Sequence, residues 1–260
     1  MKVVDLPGTY SLQAGSADEE VARDFILFGR PDVTVVVVDA TRLERNLNLV
    51  LQILDITDRV VVYLNLVDEA RRHGIAVDAK RLEQELGVPV VTGVAREHVG
   101  IDELLAAAHR VASGETRGRP YRVQHLQSDV EQTVATLVQE VEGAFPNLPN
   151  ARWVALRLLN ADEAVVEAVR SGELGQLADT PGDQPEFPIP DEGIRRQVLD
   201  RARRLRWDLP TDFQETIAQR MYSEAQQIAE KTQMRGLKKV GFDLDRVLDG
   251  LLTSRWLGFL

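Results

Sequence analysis

The pattern of apolar and polar positions changes its period along the chain, and that change divides it. Val33-Thr34-Val35-Val36-Val37-Val38 is a continuous run dominated by β-branched residues, and Val60-Val61-Val62-Tyr63-Leu64 is a second. Runs of this length without alternation predict strands buried on both faces of a parallel sheet. A shorter run, Pro89-Val90-Val91-Thr92, predicts a third strand, and Lys2-Val3-Val4 a further one at the N-terminus that runs into Asp5. Between the strands the spacing becomes helical. Leu43, Leu47, Val50, Leu51 and Leu54 form one stripe, and Leu82 and Leu86 lie inward on a helix over Ala79–Leu86 that Gly87 stops. Leu104, Leu105, Ala108 and Val111 mark the buried face of Ile101–Ala112. Strand and helix in alternation predict a doubly wound α/β fold with a mostly parallel sheet.

Beyond Gly114–Pro120 the pattern is helical only. Leu126, Val130, Val134, Leu137, Val138 and Val141 share a stripe that ends before Pro146 and Pro149. Trp153–Leu159 is apolar without a clear period, and Ala161–Arg170 reads as helix. Ile194, Val198, Leu199, Ala202 and Leu205 predict another helix, as do Phe213, Ile217, Met221, Ala225 and Ile228. Gly172–Asp191, rich in Pro, Gly and acids, predicts a loose loop. Thr9–Asp24, with Asp18-Glu19-Glu20, predicts a mobile polar loop leading into a short helix over Val21–Phe28.

Composition narrows the function classes. Hydrophobic residues make up 44% and charged residues 28% of 260, a globular balance. The net charge of −10 and pI near 5.0 argue against a general nucleic-acid surface, which needs a basic excess. With no cysteine there is no disulfide framework and no thiolate metal site. His73, His98, His109 and His125 show no ligand spacing and read as surface residues. No opening segment reads as a signal peptide, and no apolar run reaches the length of a membrane-spanning helix. The expectation is a soluble, cytoplasmic chain.

The candidate chemistry lies at the ends of the expected strands, where ligands of open α/β sheets bind. Asp5-Leu6-Pro7-Gly8 offers a carboxylate and then a glycine whose N–H can approach a phosphate. As a motif on its own it is equally a turn. Asn65-Leu66-Val67-Asp68 follows the second long strand. Its aspartate can accept from a guanine N1–H and 2-amino group, a pairing that adenine cannot supply. The plain alternative is a helix N-cap. Thr92-Gly93-Val94-Ala95-Arg96 could bring a loop N–H to the guanine carbonyl, or be a turn only. Asp-x-x-Gly, then Asn-x-x-Asp, then a small-residue loop, each after a strand, is the order of GTPases.

Val3-Val4-Asp5-Leu6-Pro7-Gly8-Thr9-Tyr10-Ser11-Leu12, Val37-Val38-Asp39-Ala40-Thr41 with Leu43–Leu47, and Leu86–Val91 resemble the FeoB family of bacterial ferrous iron transporters. Arg152–Leu159 and Asp245–Phe259 are similar to its helical domain and to the approach to its membrane region. The resemblance implies an incomplete Ras-like P-loop GTPase domain over residues 1–113 and an α-helical domain over 121–235. The loose loop would span 172–191, and 236–260 would be an amphipathic lead-in to a membrane region. It implies GTP or GDP with Mg²⁺ as the parent's cofactors. Asp5 would be the metal residue, Gly8 would touch the γ-phosphate, Thr9–Asp24 would be a switch, and Asn65 and Asp68 would hold guanine with Val94, Ala95 and Arg96 behind them. The parent would be a GTPase acting at the cytoplasmic face of the inner membrane.

No Gly-x-x-x-x-Gly-Lys-Ser/Thr occurs in these 260 residues. The resemblance therefore leads us to expect a truncated chain with weak or absent nucleotide binding. The sheet should have a gap between the Val3 strand and the Val33–Val38 strand, leaving open edges that a missing N-terminal piece, the membrane region or an oligomer would cover. The alternative is a non-catalytic regulatory or scaffold protein, derived from a GTPase, that binds a protein partner.

Overall fold

The computed structural model describes residues 2–12, 16–29, 31–119, 121, 128–146, 148, 150–176 and 189–235. Its strands are β1 (Thr34–Asp39), β2 (Val60–Asn65), β3 (Ile75–Val77), β4 (Val90–Thr92) and β5 (Gln233–Arg235). β1, β2 and β4 make a parallel sheet in that order, with Val35 opposite Val61 and Tyr63 opposite Val37 and Val91. The helices are α1 (Ala17–Phe28), α2 (Leu43–Ile56), α3 (Val67–Arg72), α4 (Ala79–Leu86), α5 (Ile101–Ala112) and α6 (Ser128–Ala144). They continue with α7 (Ala151–Leu159), α8 (Glu163–Ser171), α9 (Glu173–Gln176), α10 (Glu192–Trp207) and α11 (Phe213–Thr232).

The helices cover the two faces of the sheet unequally. On one face α2 buries Leu43, Leu47, Val50, Leu51 and Leu54 against Val36, Val38, Val60, Val62 and Leu64. On the other, α5 places Ala107 and Val111 over Val61. Central β2 is therefore buried on both faces, as expected. β1 is not. Its Val35 and Val37 are 40% and 58% exposed, because α5 lies over β2 and β4 and nothing described covers this face of β1. Leu105 of α5 is likewise exposed, its expected inward place being taken by Ala107.

The expected strand at Lys2–Val4 does not form. Residues 2–9 have no regular structure, and Val3 and Val4 are exposed. A strand needs a hydrogen-bonded neighbour, and none among the described residues lies beside this segment. In place of a gap between two strands, β1 is an open edge of the sheet among the described residues. The expected loop over Thr9–Asp24 also gives way, since α1 begins at Ala17. Ser16 caps it by accepting from the Glu19 N–H, and Asp18, Glu19 and Glu20 occupy its first turn, where carboxylates favour the helix dipole.

The remaining helices share one continuous apolar core with the sheet. Trp153–Leu159, ambiguous by period, is α7, buried around Trp153, Val154, Ala155 and Leu158. α6, α7, α8 and α10 pack together, while α11 lies along α2 and α4. A pairing that the sequence did not suggest joins the chain's halves: β5 runs antiparallel to β3, with Ala76 opposite Met234. The loop expected over 172–191 starts with the four-residue α9, and residues 177–188 lie outside the described residues, as do 236–260 and His125. No described helix is long and apolar enough to cross a membrane.

Candidate nucleotide site

The carboxyl ends of β1 and β2 open onto a cavity of about 290 Å³, walled by Tyr10, Asp39, Arg42, Arg45, Asn65 and Leu66, among others. Asp39 ends β1. Its Oδ1 accepts from the Thr41 N–H and hydroxyl, both at 2.7 Å, so this carboxylate organises the short 3-10 turn before α2. The Arg45 guanidinium lies 3.8 Å over the Tyr10 ring and holds the N-terminal segment against α2.

Asn65 ends β2, and its Oδ1 accepts from the Ala95 N–H at 2.9 Å. That bond ties the end of one strand to the loop after the next. The loop is closed by reciprocal bonds between Val94 and Val99 at 3.1 and 3.2 Å. Beneath it, Tyr63 donates its hydroxyl proton to the Val99 carbonyl at 2.9 Å. Burial is the main reason the Tyr63 phenol is pushed above its ordinary pKa, with Glu103 adding to it. Gly93 makes the close approach feasible, because a Cβ there would run into the Tyr63 hydroxyl and the Val99 carbonyl.

Asp68 sits in the first turn of α3, not at its cap. The capping position belongs to Leu66, in the left-handed region with φ 60° and no side-chain cap bond. The helix-cap reading of Asn65 and Asp68 therefore fails: Asn65 bonds across to the loop, and Asp68 faces Arg96. Asp68 Oδ2 accepts from Arg96 and, at 3.2 Å, from Arg72. Its Oδ1 is buried with no hydrogen-bond partner. A carboxylate oxygen in that condition lacks compensation for its lost hydration, and a donor brought to it would supply that. Leu66, a non-glycine residue at positive φ beside this carboxylate, is the kind of local strain found at functional sites, costing on the order of 1–3 kcal/mol.

The structure thus brings together Asn65, Asp68, Val94 and Ala95. It does not bring Asp5 and Gly8 to them. Both are exposed, Asp5 has no hydrogen bond or ion pair with a described residue, and a Cβ on Gly8 would meet nothing within 4 Å. From this segment it is Tyr10 that reaches the cavity. Among the described residues no group of three or more acidic or His side chains that could hold a metal occurs. Sequence reasoning missed Tyr63, Gly93 and the role of Arg96. A glycine placed directly after a strand was the one available signal.

Comparison with known proteins accounts for the arrangement. The family model described as ferrous iron transport protein B matches residues 1–108, and that of the FeoB cytosolic helical domain matches residues 127–233. The chain belongs to the FeoB family. The Fe(2+) transporter FeoB of Salmonella typhimurium is 35% identical over 182 residues, 68% of this chain and 23% of that protein. The chain thus spans about a quarter of the length of the curated relatives it matches. A GDP-bound mutant of the S. thermophilus FeoB G-domain aligns with a TM-score of 0.67 at 27% identity, covering 88% of this chain and 80% of that one. The cytosolic domain of the T. maritima FeoB iron transporter in its GMPPNP form gives 0.63 at 25%, covering 89% and 80%. The Ras-like α/β class followed by a FeoB helical region is therefore the fold of this chain.

Proposed function

We propose that this chain is the guanine-reading and helical portion of the cytosolic part of a GTP-dependent ferrous iron transporter, and that by itself it holds guanine nucleotide weakly. The observation that carries the reading is Asp68: a carboxylate with one buried, unpartnered oxygen beside the Asn65–Ala95 bond. A guanine edge would supply the two donors that this carboxylate accepts. Relatives of this fold were crystallised with GDP and GMPPNP, which supports the same ligand class here. The weakness follows from the phosphates. They ordinarily bind to a glycine-rich loop at a helix N-terminus, and that motif is absent from these residues. Fe²⁺ would be the cargo of the parent, not a ligand of these side chains.

The test is titration of the chain with GDP and ADP, followed by the backbone amide shifts of Ala95 and Asp68. Binding in the millimolar range, selective for GDP and lost in Asp68→Ala, is the expected result. Equal response to both nucleotides would sink the guanine reading. Micromolar, Mg²⁺-dependent binding would overturn the weak-binding part.

The open edge of β1 favours a second reading, a regulatory chain that binds a protein partner. Exposed Val35 and Val37 beside an unpaired strand edge suit an added strand. Light scattering separates the two: a stable oligomer or a captured partner strand that protects Val35–Val37 from hydrogen exchange supports it, and a well-behaved monomer with an unprotected edge argues against it.

A further inference from the structure

Arg96 stands where the base would have to bind. Its guanidinium donates to Asp68 Oδ2, which also receives Arg72, while Oδ1 is sealed from solvent without a partner. A guanine edge needs both oxygens of the carboxylate, one for N1–H and one for the 2-amino group. Oδ2 thus carries two arginines, and a base can pair with it only if Arg96 leaves. Arg96 keeps other partners if it leaves Asp68: its Nη1 already donates to Glu69 Oε1 at 3.4 Å and its Nε lies 3.6 Å from Glu97 Oε1. Its side chain is 48% exposed, so it can turn without disturbing the core. The residue before it, Ala95, is fixed by Asn65, so the loop backbone can stay in place while the side chain moves.

Resting on the guanine reading above, we infer that Arg96 is an internal latch on Asp68: it occupies the guanine-reading carboxylate in the free chain and hands over to Glu69 and Glu97 when the base enters. The latch lowers affinity by its attraction for Asp68 and keeps that carboxylate from standing uncompensated when the site is free. Arg96 is a positioning residue in this scheme, and its effect is on binding, not on the fold.

The experiment measures GDP affinity and thermal melting for the wild-type chain, Arg96→Ala, Arg96→Gln, Arg96→Lys and the double variant Glu69→Gln/Glu97→Gln. A partly exposed ion pair is worth up to about fivefold in an equilibrium. Arg96→Ala and Arg96→Gln should therefore bind GDP about three- to fivefold more tightly than wild type, with melting temperatures little changed. Arg96→Lys restores wild-type affinity. Glu69→Gln/Glu97→Gln, which removes the second resting place, binds more weakly than wild type, an outcome that a merely structural arginine would not give. Unchanged or weaker binding in both Arg96→Ala and Arg96→Gln, with GDP-selective binding by wild type, overturns the latch and leaves the guanine reading standing. No GDP-selective binding by any of these chains overturns both.

Discussion

Gly93→Ala tests how the site is built. In the folded chain the Gly93 Cα passes under the hydrogen bond between the Tyr63 hydroxyl and the Val99 carbonyl, and an added Cβ would come closer than 3.0 Å to both oxygens. One methyl therefore has to break that bond or push the 94–99 loop off the end of β2. Losing a part-buried hydrogen bond costs about 1 kcal/mol. Forcing a methyl into a filled space costs a further ~1–3 kcal/mol. The sum of roughly 2–4 kcal/mol lowers the melting temperature of a chain of this size by roughly 5–15 °C. Because Ala95 follows two residues later, its N–H should also leave Asn65 Oδ1, visible as a large amide shift. Calorimetry gives the first quantity and a nitrogen–proton correlation spectrum the second. Adding Tyr63→Phe removes the hydroxyl but leaves the ring Cζ and the Val99 carbonyl, both closer than 3.0 Å to an added Cβ, so it should recover only part of the loss. A Gly93→Ala chain that melts with wild type and keeps the Ala95 resonance would refute the reasoning.

Two other substitutions probe the scaffold. Gly143 lies in α6, where an added Cβ meets nothing, so Gly143→Ala should stabilise by about 0.5–1 kcal/mol, read from the urea midpoint. Tyr121 donates its hydroxyl to Glu224 Oε2 at 2.7 Å, and burial, then that bond, pushes its phenol well above the ordinary value of 10.0. The folded state therefore favours the protonated phenol: this stabilisation is fully present below pH 10.0 and is lost as pH rises from there through the raised folded value. Tyr121→Phe should melt lower at neutral pH and lose less stability than wild type between neutral and strongly alkaline pH; parallel pH profiles would contradict this.

The elements whose hydrophobic pattern is satisfied by sequence neighbours were legible. α2 and α4 bury the residues that helical spacing assigns, and α5 has the expected bounds. Their periodicity is one-sided, and the sheet they cover is adjacent in the chain. What failed depended on partners far away or missing from the described residues. Val3-Val4 has the composition of a strand but no neighbouring strand, so it stays irregular and exposed. Val35 and Val37 have the composition of buried positions but no cover. β3 and β5 are too short to signal, and form because the end of α11 comes alongside Ile75–Val77. At the candidate site, residue types singled out Asn65, Asp68 and the 94–96 loop, which the structure places beside one another. They did not identify Tyr63 or Gly93, whose work is steric, nor the left-handed Leu66, since nothing about leucine favours a positive φ.

The segment after Gly8 shows how a polar, acidic stretch can be part of the folded body and not a free loop. Its charge suggests solvation, yet four kinds of anchor outweigh the entropy of ordering it. Leu12 is fully buried and donates its N–H to Gln52 Oε1 of α2 at 2.6 Å. Ala22, Ile26 and Leu27 are buried on the inner face of α1. Each fully buried large aliphatic side chain contributes on the order of 1.5–3 kcal/mol. Arg23, only 2% exposed, bonds Asp24 at 2.9 Å and Asp162 at 3.3 Å. Asp162 in turn caps α8 through the Val165 N–H. Arg45 closes over Tyr10 at the cavity end. Buried Arg23 and half-buried Arg157 give the acids of this region cationic partners. Burial lowers the Arg157 guanidinium from its ordinary pKa, and Asp162 opposes that. The residues between the Asp-x-x-Gly motif and β1 are thereby held at one end against the strand-end cavity and at the other against α8. The α2 helix meets this segment at two places: Arg45 near its start lies over Tyr10, and Gln52 nearer its end accepts from the Leu12 N–H. One helix therefore carries both a wall of the candidate site and the seat on which Leu12 is buried.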